Sequence, residues 1–157
     1  MNIIKLFASV GVFILVFCAH ASSAEINGIE TSVLTGSCDT LIVGDENFTS
    51  SCAESLSITS YRSGRRGFYF YTTDERVFAF SGIHHATPLG SVYLTNIDIL
   101  VSNLKPRADT ASLSHANGYC TYEDFRSRHP VSIKCSGKTE DGRTFTGSFR
   151  SDGIPPD

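Results

Sequence analysis

The four cysteines after residue 24 constrain the fold of this chain most. Thirteen residues separate Cys38 from Cys52 and fourteen separate Cys120 from Cys135, and each gap has the length of a β-hairpin. An even number of cysteines in an exported chain favours disulfides, and four cysteines allow three pairings. The spacing favours the local one, Cys38–Cys52 with Cys120–Cys135. A structural zinc site is the alternative, but it favours cysteines with two to four residues between them, a spacing that this sequence lacks.

The N-terminal segment has the residue order of a signal peptide. Lys5 supplies a positive charge, residues 6–19 form an uncharged apolar run, and small residues follow up to Ala24. This order predicts cleavage after Ala24 or Ala21. A membrane anchor is disfavoured because the apolar run is shorter than the roughly 20 residues that a spanning helix needs.

Cleavage at this point divides the chain into a signal peptide, residues 1–24, and a single domain, residues 25–157. The fifth cysteine, Cys18, is removed with the signal. A lipoprotein with acylated Cys18 is disfavoured because the bulky Phe17 occupies the position where a small residue is expected. The mature protein is therefore predicted to be periplasmic or secreted.

The mature chain shows strand patterns throughout and no sustained helical period. Short runs rich in aromatic and β-branched residues are separated by turn residues, and closely spaced short strands are typical of a sandwich or barrel. The stretch Leu104–Gly118 is expected to be a loop. The sequence thus predicts an all-β domain, a small disulfide-braced sandwich or barrel of about eight antiparallel strands. The predicted strands are Thr40–Val43, Leu56–Tyr61, Gly67–Thr72, Arg76–Ser81, Val92–Val101, Tyr119–Phe125, Val131–Cys135 and Thr144–Arg150.

The charge balance and composition limit the classes of partner. The whole chain carries 13 lysines and arginines against 16 aspartates and glutamates, a formal net charge of −3. Such a balance gives no attraction to nucleic acid, so no nucleic-acid partner is expected. No transmembrane anchor is expected after signal cleavage, and no cofactor fingerprint is present. The oligomeric state is left open.

The segment around residues 62–71 is the strongest candidate for a binding surface. On a strand, alternation places Phe68 and Phe70 on one face and the neighbouring tyrosines on the other. A tyrosine face beside arginines is suited to stacking on sugar rings or to holding an anionic group. The alternative is structural, with phenylalanines in the core, tyrosines covering the sheet and arginines solvating a turn. The candidate binding residues are Arg62, Arg65, Arg66, Tyr69 and Tyr71.

No catalytic or metal-binding set emerges from the sequence. The adjacent His84 and His85 point in opposite directions on an extended segment, and the spacing of a metal-ligand motif is missing. The chain has no Gly-x-Ser-x-Gly elbow, and its thiols are expected to be oxidised. Neither a catalytic residue nor a metal ligand is assigned.

The order of several short motifs resembles small exported proteins of unknown function from Gram-negative bacteria. That resemblance implies a periplasmic or secreted location and transfers no catalytic or binding residue. The motifs are Gly36-x-Cys38, Cys52, the arginine-bearing turn with its aromatic strand, Phe80-Ser81-Gly82, Gly118-x-Cys120, Cys135, Gly147-Ser148-Phe149 and residues 151–156.

Three functions follow as expectations. The first is a non-catalytic domain that binds a protein or glycan partner in the envelope or outside the cell. The second is a small inhibitor of a secreted hydrolase such as a lysozyme or protease, by fold-level analogy, with Ile83–Gly90 and its Pro88 as the inhibitory loop. The third is a hydrolase whose site assembles only in three dimensions, where His84 or His85 would meet a carboxylate in a cleft.

Overall fold

A computed structural model describes residues 28–103 and 110–156. The predicted signal peptide lies outside these residues. Nine strands are present in the described part of the chain, and a single 3-10 turn, Thr49–Ser51, precedes the third of them. The strands are β1 (Ile29–Val43), β2 (Glu46–Asn47), β3 (Cys52–Tyr61), β4 (Arg65–Thr72), β5 (Val77–Leu89), β6 (Val92–Ser102), β7 (Ser112–Tyr122), β8 (Ser132–Thr139) and β9 (Thr144–Ser151).

Eight of these strands close into an antiparallel barrel. From β3 to β9 each strand pairs with the next, and β1 completes the ring. The first half of β1, Ile29–Thr35, pairs with β3, and its second half, from Gly36 to Val43, pairs with β9. The short β2 pairs only with the end of β1. The all-β prediction is confirmed, and the architecture is a barrel.

The barrel interior is filled by side chains. Phe68 and Phe70 point inward while Tyr69 and Tyr71 point outward, as the alternation of the strand predicts. Six inward phenylalanines dominate the core of the described residues, so that side chains fill the space in which some eight-stranded barrels hold a ligand. These phenylalanines are Phe68, Phe70, Phe78, Phe80, Phe145 and Phe149.

Both predicted disulfides are present. Cys120 and Cys135 are direct partners on β7 and β8. Cys38 and Cys52 join β1 to β3 at a point three residues beyond their last paired residues, Thr35 and Ser55. Two disulfides indicate an oxidising compartment outside the cytoplasm. Within residues 28–103 and 110–156, no helix has the length and apolarity to cross a membrane.

Several strands are longer than the sequence pattern predicts. β5 continues past Ser81 to Leu89, so that most of the proposed inhibitory loop is the first arm of a β-hairpin. The expected loop at 104–118 is wrong from Ser112 onward, because that part belongs to β7. These extensions lack apolar alternation: the added residues are mostly polar or small, and their pairing to a neighbouring strand holds them extended.

Candidate functional site

The side chain of Arg66 points into the barrel. It lies on the same face of β4 as Phe68 and Phe70, where it is the first inward residue after the β3–β4 turn. Its partner on β5 is Gly82, which has no side chain, and its partner on β3 is Ser60. The strand pairing therefore leaves space for a guanidinium group inside this end of the barrel, which we call the barrel mouth.

The guanidinium of Arg66 is fixed by neutral partners. Its Nε donates to Ser60 Oγ at 3.1 Å, and its Nη1 donates to the Tyr122 hydroxyl. The guanidinium carbon lies 5.4 Å from the ring centre of Tyr122 and 5.7 Å from that of Phe125, within cation–π range. None of the ion pairs among the described residues includes Arg66. The group is thus a positioned cation without an acidic partner in this part of the chain.

Hydrogen-bond chemistry gives this network a direction. Arginine can only donate, so the oxygen of Tyr122 accepts from Arg66 and its proton is free for another partner. That partner is His84 Nδ1, at 2.7 Å from the phenol oxygen. When the neutral imidazole carries its proton on Nε2, His84 Nδ1 is the acceptor of this bond.

The pKa directions agree with this protonation state. Partial burial, reinforced by the positive charge of Arg66, lowers the pKa of His84 below its ordinary value of 6.5 and favours the neutral ring. Burial raises the pKa of Tyr122, although Arg66 acts against this, and the phenol keeps its proton. At neutral pH Arg66 is therefore the one charged member of the chain Arg66–Tyr122–His84.

A pocket of about 230 Å³ opens beside this network. The rings of Tyr93 and Tyr122 stack at 5.7 Å between centres. Asp124 and Arg126, from the β7–β8 connection, complete the lining. The Asp124 carboxylate accepts a hydrogen bond from the backbone N–H of Arg126 at 3.1 Å, and the Arg126 side chain forms an ion pair with Glu30. The pocket is lined by Arg66, His84, Tyr93, Tyr122, Asp124, Phe125 and Arg126.

The outward face of β4 carries a different set of contacts. Arg65 makes a two-pronged ion pair with Asp98, at 2.7 and 2.9 Å. The hydroxyls of Tyr61 and Tyr69 lie 3.3 Å apart. Burial, together with the neighbouring Tyr61, raises the pKa of Tyr69 to about 12. On this outer face, Arg65 therefore has Asp98 as its acidic partner, and the hydroxyls of Tyr61 and Tyr69 have each other as hydrogen-bond partners.

The structure therefore separates the residues that the sequence grouped together. Arg65, Tyr69 and Tyr71 lie on the outer face of the barrel, whereas Arg66 lies inside with the phenylalanines. Arg62 lies in the turn after β3, beside Gly28. The role of these five residues in binding stays a prediction, but the tyrosine face and Arg66 form two separate surfaces.

Sequence reasoning missed most of the residues around Arg66. Tyr122 comes from β7, Tyr93 from β6, and Phe125 and Arg126 from the β7–β8 connection, so that only the closed barrel brings them together. Two signals were available. Alternation along β4 already places Arg66 with the phenylalanines, and the same rule places His84 and His85 on opposite faces.

A second, larger depression of about 460 Å³ lies on the outer surface, between β1, β3 and the end of β9. Its polar groups include Thr35 and Asp152, which bond to each other at 2.6 Å. This bond lowers the pKa of Asp152. We regard the barrel mouth as the stronger candidate, because there the cation belongs to a hydrogen-bonded network beside aromatic side chains.

The two histidines have different partners and lie on different faces of the barrel wall. His84 faces the pocket, but its partner is the phenol of Tyr122, and His85 bonds to Asn96 at 2.9 Å on the exposed side. Asp124 lines the same pocket with its carboxylate engaged by the Arg126 backbone. Among the residues that the structure describes, no group of three or more histidine, cysteine or acidic side chains could hold a metal ion.

Comparisons of the chain with protein-family models, with curated proteins and with solved structures find no match. The resemblance to small exported proteins of Gram-negative bacteria stays a prediction. The function is therefore inferred from the geometry of the barrel mouth alone.

Proposed function

We propose that this chain is a non-catalytic binding domain, exported to the periplasm or the cell exterior, that holds its partner at the barrel mouth. The single observation that carries the proposal is Arg66, an inward guanidinium with no acidic partner among the described residues. Arg66 is half-buried, and among the described residues no carboxylate neutralises its charge. A partner that supplies the missing charge gains that interaction on binding.

The contrast between the mouth and the rest of the interior supports the same conclusion. The core consists mainly of phenylalanine and aliphatic side chains with a few small hydroxyls such as Thr95 and Ser102, whereas the mouth combines Arg66, His84 and Tyr122 in one hydrogen-bonded network. A few convergent polar groups beside aromatic walls are typical of ligand sites at the mouths of barrels. The aromatic walls are Tyr93 and Phe125.

Two independent observations support export. The two disulfides indicate an oxidising compartment, and the residue order at the N-terminus is that of a signal peptide. The location in the periplasm or outside the cell belongs to the proposal. Edman sequencing of the protein recovered from its host is expected to begin at Glu25.

The binding proposal is tested by native mass spectrometry of the protein purified from its own host. We expect a retained partner on the wild-type chain and on Arg65→Gln, and its loss from Arg66→Gln. Arg65 is the matched control, because it is adjacent in sequence, carries the same charge and lies on the outer face. Equal retention by both variants, or a bare wild-type chain, would contradict the proposal.

An inhibitor of a secreted hydrolase is a second candidate, and one observation favours it. Beyond Ile83 the β5–β6 hairpin has no pairing to β4, and its tip exposes Leu89 at 75%. A hairpin arm of this kind has an exposed strand edge that is suited to the active-site cleft of a hydrolase. Inhibition of at least one lysozyme or protease in a panel, abolished by Leu89→Asp, is expected if the candidate is correct, and the absence of inhibition across the panel would reject it.

A further inference from the structure

We infer that the pocket at the barrel mouth binds a carboxylate group. The inference rests on the proposed function and names the chemistry of the ligand. It starts from the unused donors of Arg66: Nε and Nη1 have partners, but Nη2 makes no hydrogen bond within the described residues. Arg66 lines the pocket, so that a ligand bound there lies beside a side chain with an unused donor.

The acids already present near the mouth have other partners. Asp124 accepts the Arg126 backbone N–H, and Glu30 pairs with the Arg126 side chain. Neither carboxylate forms an ion pair with Arg66. The negative charge that Arg66 lacks is therefore expected to come from a ligand.

The shape and charge of the site favour a carboxylate over a phosphate. Arg66 is the one guanidinium lining the pocket without an acidic partner in the described residues, which suits a single negative charge, and its remaining donor, Nη2, is suited to one carboxylate oxygen. The ring of Tyr93, stacked on Tyr122, also lines the pocket. Phosphate, with about two charges and a tetrahedral shape, would need further donors.

The pocket volume limits the rest of the ligand. About 230 Å³ is below the range of roughly 300–1,000 Å³ that is usual for drug-sized ligands. A carboxylate with a short or single-ring substituent fits, whereas an oligosaccharide does not. Two sources share this chemistry: a free small organic acid, and the acidic side chain of a partner polypeptide.

The experiment is a titration of the mature, disulfide-bonded chain near pH 7, followed by NMR and calorimetry. The charged probes are acetate, benzoate and N-acetylglutamate amide, and the matched neutral probe is benzamide, which has nearly the shape of benzoate. Inorganic phosphate is the tetrahedral anion. We expect saturable binding of at least one carboxylate, no binding of benzamide, and weaker binding of phosphate.

The Arg66→Gln substitution is expected to weaken carboxylate binding by at least about tenfold, because hydrogen bonds to charged groups are among the strong ones. Arg65→Gln is the control and is expected to bind as the wild type does. If Arg66→Gln fails to fold, the Nε–H resonance of Arg66 in the wild-type chain replaces it, since a carboxylate at this site must shift that signal. A shift confined to surface residues would overturn the inference.

The relative affinities of the carboxylate probes identify the source of the carboxylate group. Tighter binding of N-acetylglutamate amide indicates a side chain of a partner, and tighter binding of acetate or benzoate indicates a free acid. Equal binding of benzoate and benzamide, or no binding of any carboxylate, would overturn the inference. In that event the proposed function still stands if Arg66→Gln loses the partner retained from the host. If carboxylates bind but that partner is retained by Arg66→Gln, the proposed function fails and the inference holds.

Discussion

Two adjacent arginines show how strongly a single step along a strand changes the environment of a side chain. Arg65 points outward and is neutralised by Asp98, and the ion pair lowers the pKa of that carboxyl. Arg66 points inward and is held by Ser60 and Tyr122. An exposed pair like the first contributes little to stability, whereas the unpaired inward cation is a feature that a binding site explains.

The Tyr122 hydroxyl is the residue-scale element that connects Arg66 to His84. Tyr122→Phe removes it and leaves Arg66 Nη1 and His84 Nδ1 without their partner. We expect a loss of about 1–3 kcal/mol in the free energy of unfolding, measured by urea denaturation. Tyr119→Phe is the control, because Tyr119 is 51% exposed on the same strand, and it should unfold as the wild type does. Equal stability of the two variants would show that the buried phenol does not bridge these groups.

The protonation of His84 predicts a pH dependence of stability. Its pKa is lowered in the folded protein, by partial burial and by Arg66, from the ordinary 6.5. The unfolded chain therefore binds more protons than the folded one once the pH falls below about 6.5, and the free energy of unfolding decreases until the folded pKa is passed. The groups that face the ring are Arg66, the Tyr122 hydroxyl and the Tyr93 ring, at 5.9 Å between centres.

Urea denaturation at a series of pH values checks this expectation, with His84→Gln as the comparison. The wild type is expected to lose stability relative to the variant as the pH falls through this range. Parallel curves for the two proteins would mean that His84 has no lowered pKa in the folded state.

At the scale of the elements, the sequence predicted the number and approximate places of the main strands and the two cysteine pairings. It missed the first half of β1, the outer part of β5 and the beginning of β7. Those segments have few alternating apolar residues, and their extended form depends on pairing across the barrel rather than on local propensity. The His84-His85 segment is an example, since it is held extended by pairing with Thr95 and Leu94 of β6.

The two disulfides are expected to stabilise different parts of the fold. Cys120 and Cys135 lie on strands that are paired on both sides of the bond. Cys38 and Cys52 instead join β1 to β3 beyond the last residues that these two strands pair with each other, Thr35 and Ser55. Replacing Cys38 and Cys52 together by alanine should cost about 3 kcal/mol, the chain-entropy value for a loop of this size.

Hydrogen exchange of this double variant should show faster exchange in residues 44–51, because the disulfide holds the ends of that connection. The matched variant, with Cys120 and Cys135 replaced by alanine, is expected to leave exchange in 44–51 unchanged. Faster exchange there in both variants would contradict an independent role for the first disulfide.

At the scale of the whole molecule, the barrel mouth exists only because eight strands close into a ring. Arg66 is on β4, His84 on β5 and Tyr122 on β7, and no spacing in the sequence indicates that these three meet. The polar mouth lies at one end of an interior in which the phenylalanines of the described residues pack together. Closure thus determines both where a ligand can bind and how small it must be.

Closure also leads to a prediction on Gly147 of β9, on the opposite side of the barrel from β5. A Cβ at this position would lie 2.7 Å from Phe80 Cε2 and 2.9 Å from Phe70 Cζ, so that both rings would have to move. Overpacking of a filled core typically costs about 1–3 kcal/mol, and we expect Gly147→Ala to lower the free energy of unfolding by that amount in urea denaturation. Ser148→Ala, on the next residue and the other face, should change it by less than about 0.5 kcal/mol. Wild-type stability of Gly147→Ala would mean that the phenylalanines of β4 and β5 do not reach across to β9, and that the interior has room for a ligand larger than the mouth alone can hold.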